Sequence, residues 1–149
     1  KRIEISKLVD AFEPKEIYQK LNLPLEVVKQ MKKQKHPFKL ITGDLLSHYP
    51  FGKIFTIEDL EEESEKFNER DRVPTGLLSG KRVKNSEGLA YEIEKEYEEN
   101  TGEDGARRFA WVFPEDISSN YKEEKNWMEI QFYLPKGSYA TEVIAEIIH

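Results

Sequence analysis

Between Asn126 and Leu134 the chain alternates strictly. Met128, Ile130, Phe132 and Leu134 fall on one side, and Trp127, Glu129, Gln131 and Tyr133 on the other. Period two is the signature of a strand with one buried face. Pro135 ends that strand because it has no N–H to give to a ladder. Gly137 lets the chain turn, and Ser138 stands where a helix N-cap belongs. Tyr139, Val143, Ile144, Ile147 and Ile148 then recur at helical spacing. The pattern predicts a strand, a tight turn and a helix, with Tyr139 in the first turn. The backbone N–H groups there are unpaired and favour an anion.

Upstream the period is mostly helical. Ile5, Leu8, Val9 and Phe12 share one face of a helix over 3–12. Pro14 suits the first turn of a second helix that runs through Leu21. Pro24 opens a third, with Leu25, Val28 and Met31 apolar and Lys29, Lys32 and Lys33 facing out. Short strands are expected over 39–46 and 53–55, around the turn Tyr49-Pro50-Phe51-Gly52. Thr56 with Asp59 reads as a capping box for a helix ending at Asn68. Residues 71–80 are expected to form an irregular loop, because Pro74, Gly76 and Gly80 interrupt every period. Ser86 is the expected cap of a helix through Tyr97, with Leu89, Ile93 and Tyr97 on one face.

From Arg107 the pattern turns to β. Phe109, Trp111 and Phe113 alternate with Ala110 and Val112, and a hairpin joins 117–123 to 126–134 through Glu124-Lys125. A helical front and a strand-rich back give an α+β fold with a boundary near Gly105.

Composition narrows the function classes. At 38% hydrophobic and 35% charged residues, this is an ordinary globular composition. No cysteine is present, which removes disulfides and thiolate metal sites. No apolar run approaches the roughly 20 residues of a membrane span, and no signal peptide is seen, so no membrane is expected and the expected location is cytoplasmic. A net charge of −6 argues against a generic nucleic-acid coat. The charge is uneven, however. Acid gathers over 58–65 and 92–104; base gathers over 29–39, over 81–84 and at Arg107 and Arg108. This distribution leaves room for a basic track on an acidic body. Lys29, Lys32, Lys33, Lys35 and Lys39 fit either a phosphate-contacting face or a solvated helix surface, and the second reading is favoured.

His36, His48 and His149 share no metal-ligand spacing, and neither a Ser-His-Asp order nor a phosphate-cradling glycine loop is visible. One constellation remains, Tyr139 at the turn with Lys136, Arg107 and Arg108. Tyr139 can hold a base taken out of an RNA stack, or it can be a core residue packed on Phe132.

The stretch Leu134-Pro135-Lys136-Gly137-Ser138-Tyr139-Ala140-Thr141 closely resembles the closing motif of the tRNA pseudouridine synthase D (TruD) family. Three upstream stretches agree in order: Gly43-Asp44-Leu45-Leu46-Ser47-His48-Tyr49-Pro50-Phe51-Gly52-Lys53, then Val73-Pro74-Thr75-Gly76-Leu77-Leu78-Ser79-Gly80, then Gly105-Ala106-Arg107-Arg108. Glu87-Gly88-Leu89-Ala90-Tyr91-Glu92 also fits. The resemblance implies that 1–105 is the second half of the family's inserted (TRUD) domain. It implies that 106–149 is strands and a last helix of the pseudouridine synthase core.

It further implies conversion of uridine 13 of tRNA to pseudouridine, without cofactor or metal. Tyr139 would then be the active-site aromatic wall, and Lys81, Arg82, Arg107, Arg108 and Lys136 the RNA-binding residues. Two departures stand out. Ala145 replaces the family's usual arginine, and the family's catalytic aspartate segment, Gly-x-Lys-Asp, is absent. The chain is therefore expected to be the C-terminal part of a longer enzyme and inactive alone, with tRNA and the N-terminal catalytic part as partners. Two other classes compete: a non-catalytic RNA-binding module and a structural interaction domain.

Overall fold

The computed structural model describes residues 1–148; His149, weighed above as a ligand, lies outside the described residues. The fold is mixed helix and sheet, in two compact units, Lys1–Ala110 and Trp111–His149.

The first unit begins with three short helices: α1 (Arg2–Ala11), α2 (Pro14–Leu21) and α3 (Leu25–Lys33). Helices of this length are marginal alone, so packing must hold them. Ile5 and Val9 of α1, Ile17 of α2, and Val28 and Met31 of α3 meet Leu23, Ile41, Ala90 and Ile93 in one core. Local chemistry sets the ends. Pro14 occupies the first turn of α2, Glu13 and Glu16 cap it reciprocally, and Asn22 ends it at φ 52°.

Four antiparallel strands follow: β1 (Leu45–His48), β2 (Ile54–Thr56), β3 (Arg72–Leu78) and β4 (Ala106–Phe109), in the order β2-β1-β3-β4. Helices α4 (Leu60–Asn68) and α5 (Gly88–Glu94) lie between them in sequence. The expected loop over 71–80 is instead β3, an inner strand of the sheet. Proline is tolerated because the partner changes beside it. Arg72–Pro74 pair with β1 and Thr75–Leu78 pair with β4. At the handover Thr75 Oγ1 donates to the Leu45 carbonyl (2.9 Å) and Ala110 N–H to that of Pro74 (2.8 Å).

Residues 39–43, expected in a strand, are not in one. Their backbone is satisfied by side chains: Gln34 donates to and accepts from Leu40, both at 2.7 Å, and Lys39 N–H donates to Ser6 Oγ (2.9 Å). The cap of α4 is Asp59, whose carboxylate accepts from the Glu61 and Glu62 N–H groups. Thr56 lies in β2 and donates to Glu87 Oε1 instead (3.1 Å). The helix expected through Tyr97 stops at Glu94 and tightens into a 3-10 turn over Lys95–Tyr97. Three residues per turn break the i, i+4, i+8 alignment, and Tyr97 is exposed.

The division falls after Ala110, not at Gly105, because 106–109 pair with β3. The strand expected to continue through Phe113 ends at Phe109. In the second unit β5 (Glu115–Lys122) and β6 (Trp127–Tyr133) form an antiparallel pair. A 3-10 turn over Glu123–Lys125 and Asn126 at φ 51° join them. Helix α6 (Ala140–Ile148) follows. No described residue of this unit is buried. Met128, Tyr133, Ile147 and Ile148 are all exposed. A lone hairpin and one helix have too few layers to cover their own apolar faces.

Candidate functional site

The motif glycines and acids of the first unit build its frame. Gly43 has φ 91°, and a Cβ there would lie 2.2 Å from the Glu87 carbonyl oxygen. The two backbones meet because the Glu87 N–H donates to the Gly43 carbonyl (2.9 Å). Only glycine permits this approach. The next residue, Asp44, accepts from the Ile41 N–H (2.8 Å) and from Arg2 Nη2 (2.5 Å). Burial raises the Asp44 pKa above its ordinary value, although Arg2 and the Ile41 N–H oppose this. These residues tie α1, β1 and α5 together.

A second clasp sets the basic loop. Gly80 and Gly105 approach so closely that a Cβ on either would fall within 3 Å of the other's backbone. Lys81 N–H donates to the Glu103 carbonyl (2.7 Å), and Gly105 N–H donates to that of Lys81 (2.8 Å). The exposed side chains of Lys81, Arg82 and Lys84 stand on a backbone fixed in this way. Arg82, at φ 59°, spans both carboxylate oxygens of Asp104 from an exposed position. Beside the loop is a cleft of about 470 Å³ whose wall includes Lys81, Arg82, Asn85, Glu98 and Asn100. Its charge is mixed, with Lys81 and Arg82 and also Glu98 and Glu99 in the lining.

Arg107, expected to face RNA, is turned inward. Its side chain is 2% exposed. Nη1 and Nη2 grip the Glu94 carboxylate, and Nε donates to the Lys84 carbonyl (2.7 Å). Ser86 is not the helix cap expected of it; its hydroxyl donates to the same Glu94 carboxylate (2.6 Å). Burial raises the Glu94 pKa, but the hydrogen bonds from Arg107 and Ser86 outweigh it, and the net direction is down. Arg107 thus holds the basic loop from beneath, by Lys84, and does not reach the surface. Glu94 carries no motif signal of its own, so the pair could not be read from sequence. Arg108, the next residue on β4, is exposed and lies opposite Gly76.

The second unit holds Lys136 and Tyr139. Pro135 to Ser138 close a turn, with Ser138 N–H donating to the Pro135 carbonyl (3.1 Å). Gly137 at φ 91° meets the need of a type II turn for a positive φ at its third position. Ser138 is taken up by this turn, and α6 starts at Ala140. Tyr139 therefore stands just before the helix and not in its first turn, with its carbonyl accepting from Glu142 N–H (3.2 Å). The residue is 58% exposed, so it is not a core residue of this unit. Lys136 is exposed beside it in sequence. Among the described residues no group of three or more His, Asp or Glu is placed to hold a metal ion, and no helix is long and apolar enough to cross a membrane.

Comparison with known proteins supplies the context for this geometry. Residues 26–147 match the family model described as tRNA pseudouridine synthase D (TruD). Over 147 residues the chain is 50% identical to the tRNA pseudouridine synthase D of Sulfurimonas denitrificans, covering 99% of this chain and 41% of that protein. It is 49% identical over 150 residues to that of Nitratiruptor, covering 100% of this chain and 42% of the relative. The chain thus spans about two fifths of the length of the curated relatives it matches. A candidate tRNA pseudouridine synthase D of Methanosarcina mazei, known from its crystal structure, has the same fold. Its TM-score is 0.56 at 19% identity, over 94% of this chain and 42% of that one.

Proposed function

The chain belongs to the tRNA pseudouridine synthase D family, and we propose that it supplies the RNA-gripping loop and the base-holding aromatic of an enzyme that converts a tRNA uridine to pseudouridine. In that reaction the C1′–N1 bond of the nucleoside breaks and a C1′–C5 bond forms. C5 loses its proton to solvent, and N1 gains one. The base must leave the stack and stay held while it rotates. Tyr139 is the wall against which it rests, and Lys136 faces the neighbouring phosphate. Lys81, Arg82, Lys84 and Arg108 neutralise further phosphates. Arg107 has no phosphate role in this reading and acts by positioning the loop.

The observation that carries the reading is the setting of Tyr139. An exposed ring on a turn closed by Gly137 and the Ser138–Pro135 hydrogen bond has the fixed, flat face that stacking needs. The nucleophilic aspartate comes from the additional length that the relatives carry. Part of that length also covers the apolar faces of β6 and α6. On this reading the first unit, with its four-stranded sheet, belongs to the inserted domain. The second belongs to the catalytic core, and the protein works in the cytoplasm on tRNA.

Tritium release from tRNA labelled at uridine C5 is the direct test. The full-length protein should release tritium at a single uridine, and the 149-residue chain should release none. Release by this chain alone, or none by the full-length protein, would overturn the proposal.

A further inference from the structure

The turn between β1 and β2 carries Phe51, which is 75% exposed, the most exposed large apolar side chain of the first unit. The turn itself explains its other residues but not this one. Gly52 is required because a Cβ there would lie 2.5 Å from the Cβ of His48. Tyr49 is required as an anchor: its N–H donates to the Asp71 carbonyl (3.0 Å), and its ring lies 5.6 Å from that of Phe109. His48 rests its ring against Phe55, 5.3 Å away. The loop is therefore held at its base, and Phe51 stands exposed on it. Beside it Lys53 is exposed, and among the described residues its ammonium group forms no ion pair. Many cations of this chain are paired, among them Arg2, Lys39, Lys66, Arg72 and Arg107.

An exposed aromatic ring on a loop held at its base, two residues from an exposed cation, is a combination that grips unpaired nucleotides, the ring stacking on a base and the cation meeting the backbone phosphate. We propose that Phe51 and Lys53 form a second base-stacking contact for tRNA, on the first unit and separate from Tyr139, which engages an unpaired nucleotide other than the one modified. The inference rests on the tRNA reading above. A protein partner would ask for bulk and apolarity at position 51; a base asks for a flat face. That difference makes the two occupants separable.

The experiment is tRNA binding by the full-length protein, with Phe51→Ala, Phe51→Leu, Phe51→Trp and Lys53→Ala, each over a range of salt. Phe51→Ala and Phe51→Leu should each bind about tenfold more weakly, the equivalent of removing one stack. Both should keep the parent's salt slope and melting temperature. Phe51→Trp should bind as the parent does, and Lys53→Ala should lower the slope by about 0.7, the value for one single-strand phosphate contact. Parent-like binding by Phe51→Ala would overturn the inference and leave the tRNA reading intact. So would parent-like binding by Phe51→Leu with early melting of Phe51→Ala, which would make Phe51 a packing residue against protein. Failure of the parent itself to bind tRNA would remove both.

Discussion

Arg107 and Glu94 meet as a two-point ion pair, Nη1 to Oε1 at 2.5 Å and Nη2 to Oε2 at 2.7 Å. The Arg107 side chain is sealed from water, and that of Glu94 is 18% exposed. Removing one member of such a pair leaves a charge buried without its partner, at a cost of about 3–5 kcal/mol. Arg107→Ala and Glu94→Ala should each lose that much stability in urea unfolding. The double variant should lose clearly less than the sum of the two, because no charge is then stranded. Strict additivity would show that the two residues do not depend on each other.

Gly43→Ala tests the contact between the Gly43-Asp44 and Glu87-Gly88 stretches. The new Cβ would meet a carbonyl oxygen that is part of the backbone, at a φ that alanine resists. Strain and overpacking together should cost about 2–5 kcal/mol. Gly137→Ala has the same positive φ but no atom within 4 Å of its Cβ. Its cost should be the smaller, about 1–2 kcal/mol. Equal losses in the two variants would mean that strain alone, and not the close approach, explains Gly43.

What the sequence discloses follows from how local each signal is. The strands β5 and β6 are readable because alternation at 127–133 is written in consecutive residues. The first three helices are readable from the Pro14 and Pro24 starts and the apolar spacing between them. β3 is hidden because Pro74 and Gly76 mark a loop unless one knows that β1 and β4 pair with different halves of the strand. Arg107 is misread for a similar reason. Its charge is visible in the sequence, but its burial depends on Glu94, which reaches it only through tertiary packing. The turn between β6 and α6 is legible because Pro135 and Gly137 mark it in consecutive residues.

His36 gives the chain a pH dependence. It is nearly buried and stacked on Phe67 with ring centroids 3.7 Å apart. Burial first, and then the positive charge of Lys39, lower its pKa from 6.5 to about 4. The unfolded chain therefore takes up a proton at a higher pH than the folded one does. The stability linked to His36 is complete above pH 6.5 and is lost as the pH falls toward about 4. Melting temperatures should decline over that window in the parent, and His36→Gln should show a flatter profile there. Glu94 acts in the same direction but lower, below its ordinary 4.5. Parallel profiles for parent and His36→Gln would assign the whole decline to carboxylates.

Lys81, Lys84 and Arg108 differ from Arg107 in exposure, and the difference should appear in the salt dependence of tRNA binding. Removing one cation that meets a phosphate lowers the log–log slope by about 0.7–0.9. The full-length protein with Lys81→Ala and Arg108→Ala together should drop by about two such steps with little change in melting. Arg107→Gln should leave the slope unchanged but melt early, because it removes the cation from beside the Glu94 carboxylate. A flattened slope for Arg107→Gln with normal melting would return Arg107 to the RNA surface.

Tyr139 separates stacking from packing most sharply. Tyr139 is 58% exposed, and the turn before it is closed by Gly137 and by the Ser138–Pro135 hydrogen bond. A flat face is what stacking uses, and the hydroxyl adds nothing essential to it. In the full-length protein Tyr139→Phe should keep most of the single-turnover rate on tRNA. Tyr139→Ala should lose about 1–3 kcal/mol of base stacking and nearly all of the rate. Neither change should open a cavity in its own unit. If added segments of the full-length protein bury the ring instead, Tyr139→Ala would cost about 3–5 kcal/mol of stability. Rates taken below each variant's melting point keep the two effects apart. Early melting of Tyr139→Ala, with a parent-like rate while it remains folded, would make Tyr139 a packing residue and leave the flipped base without the support assigned to it.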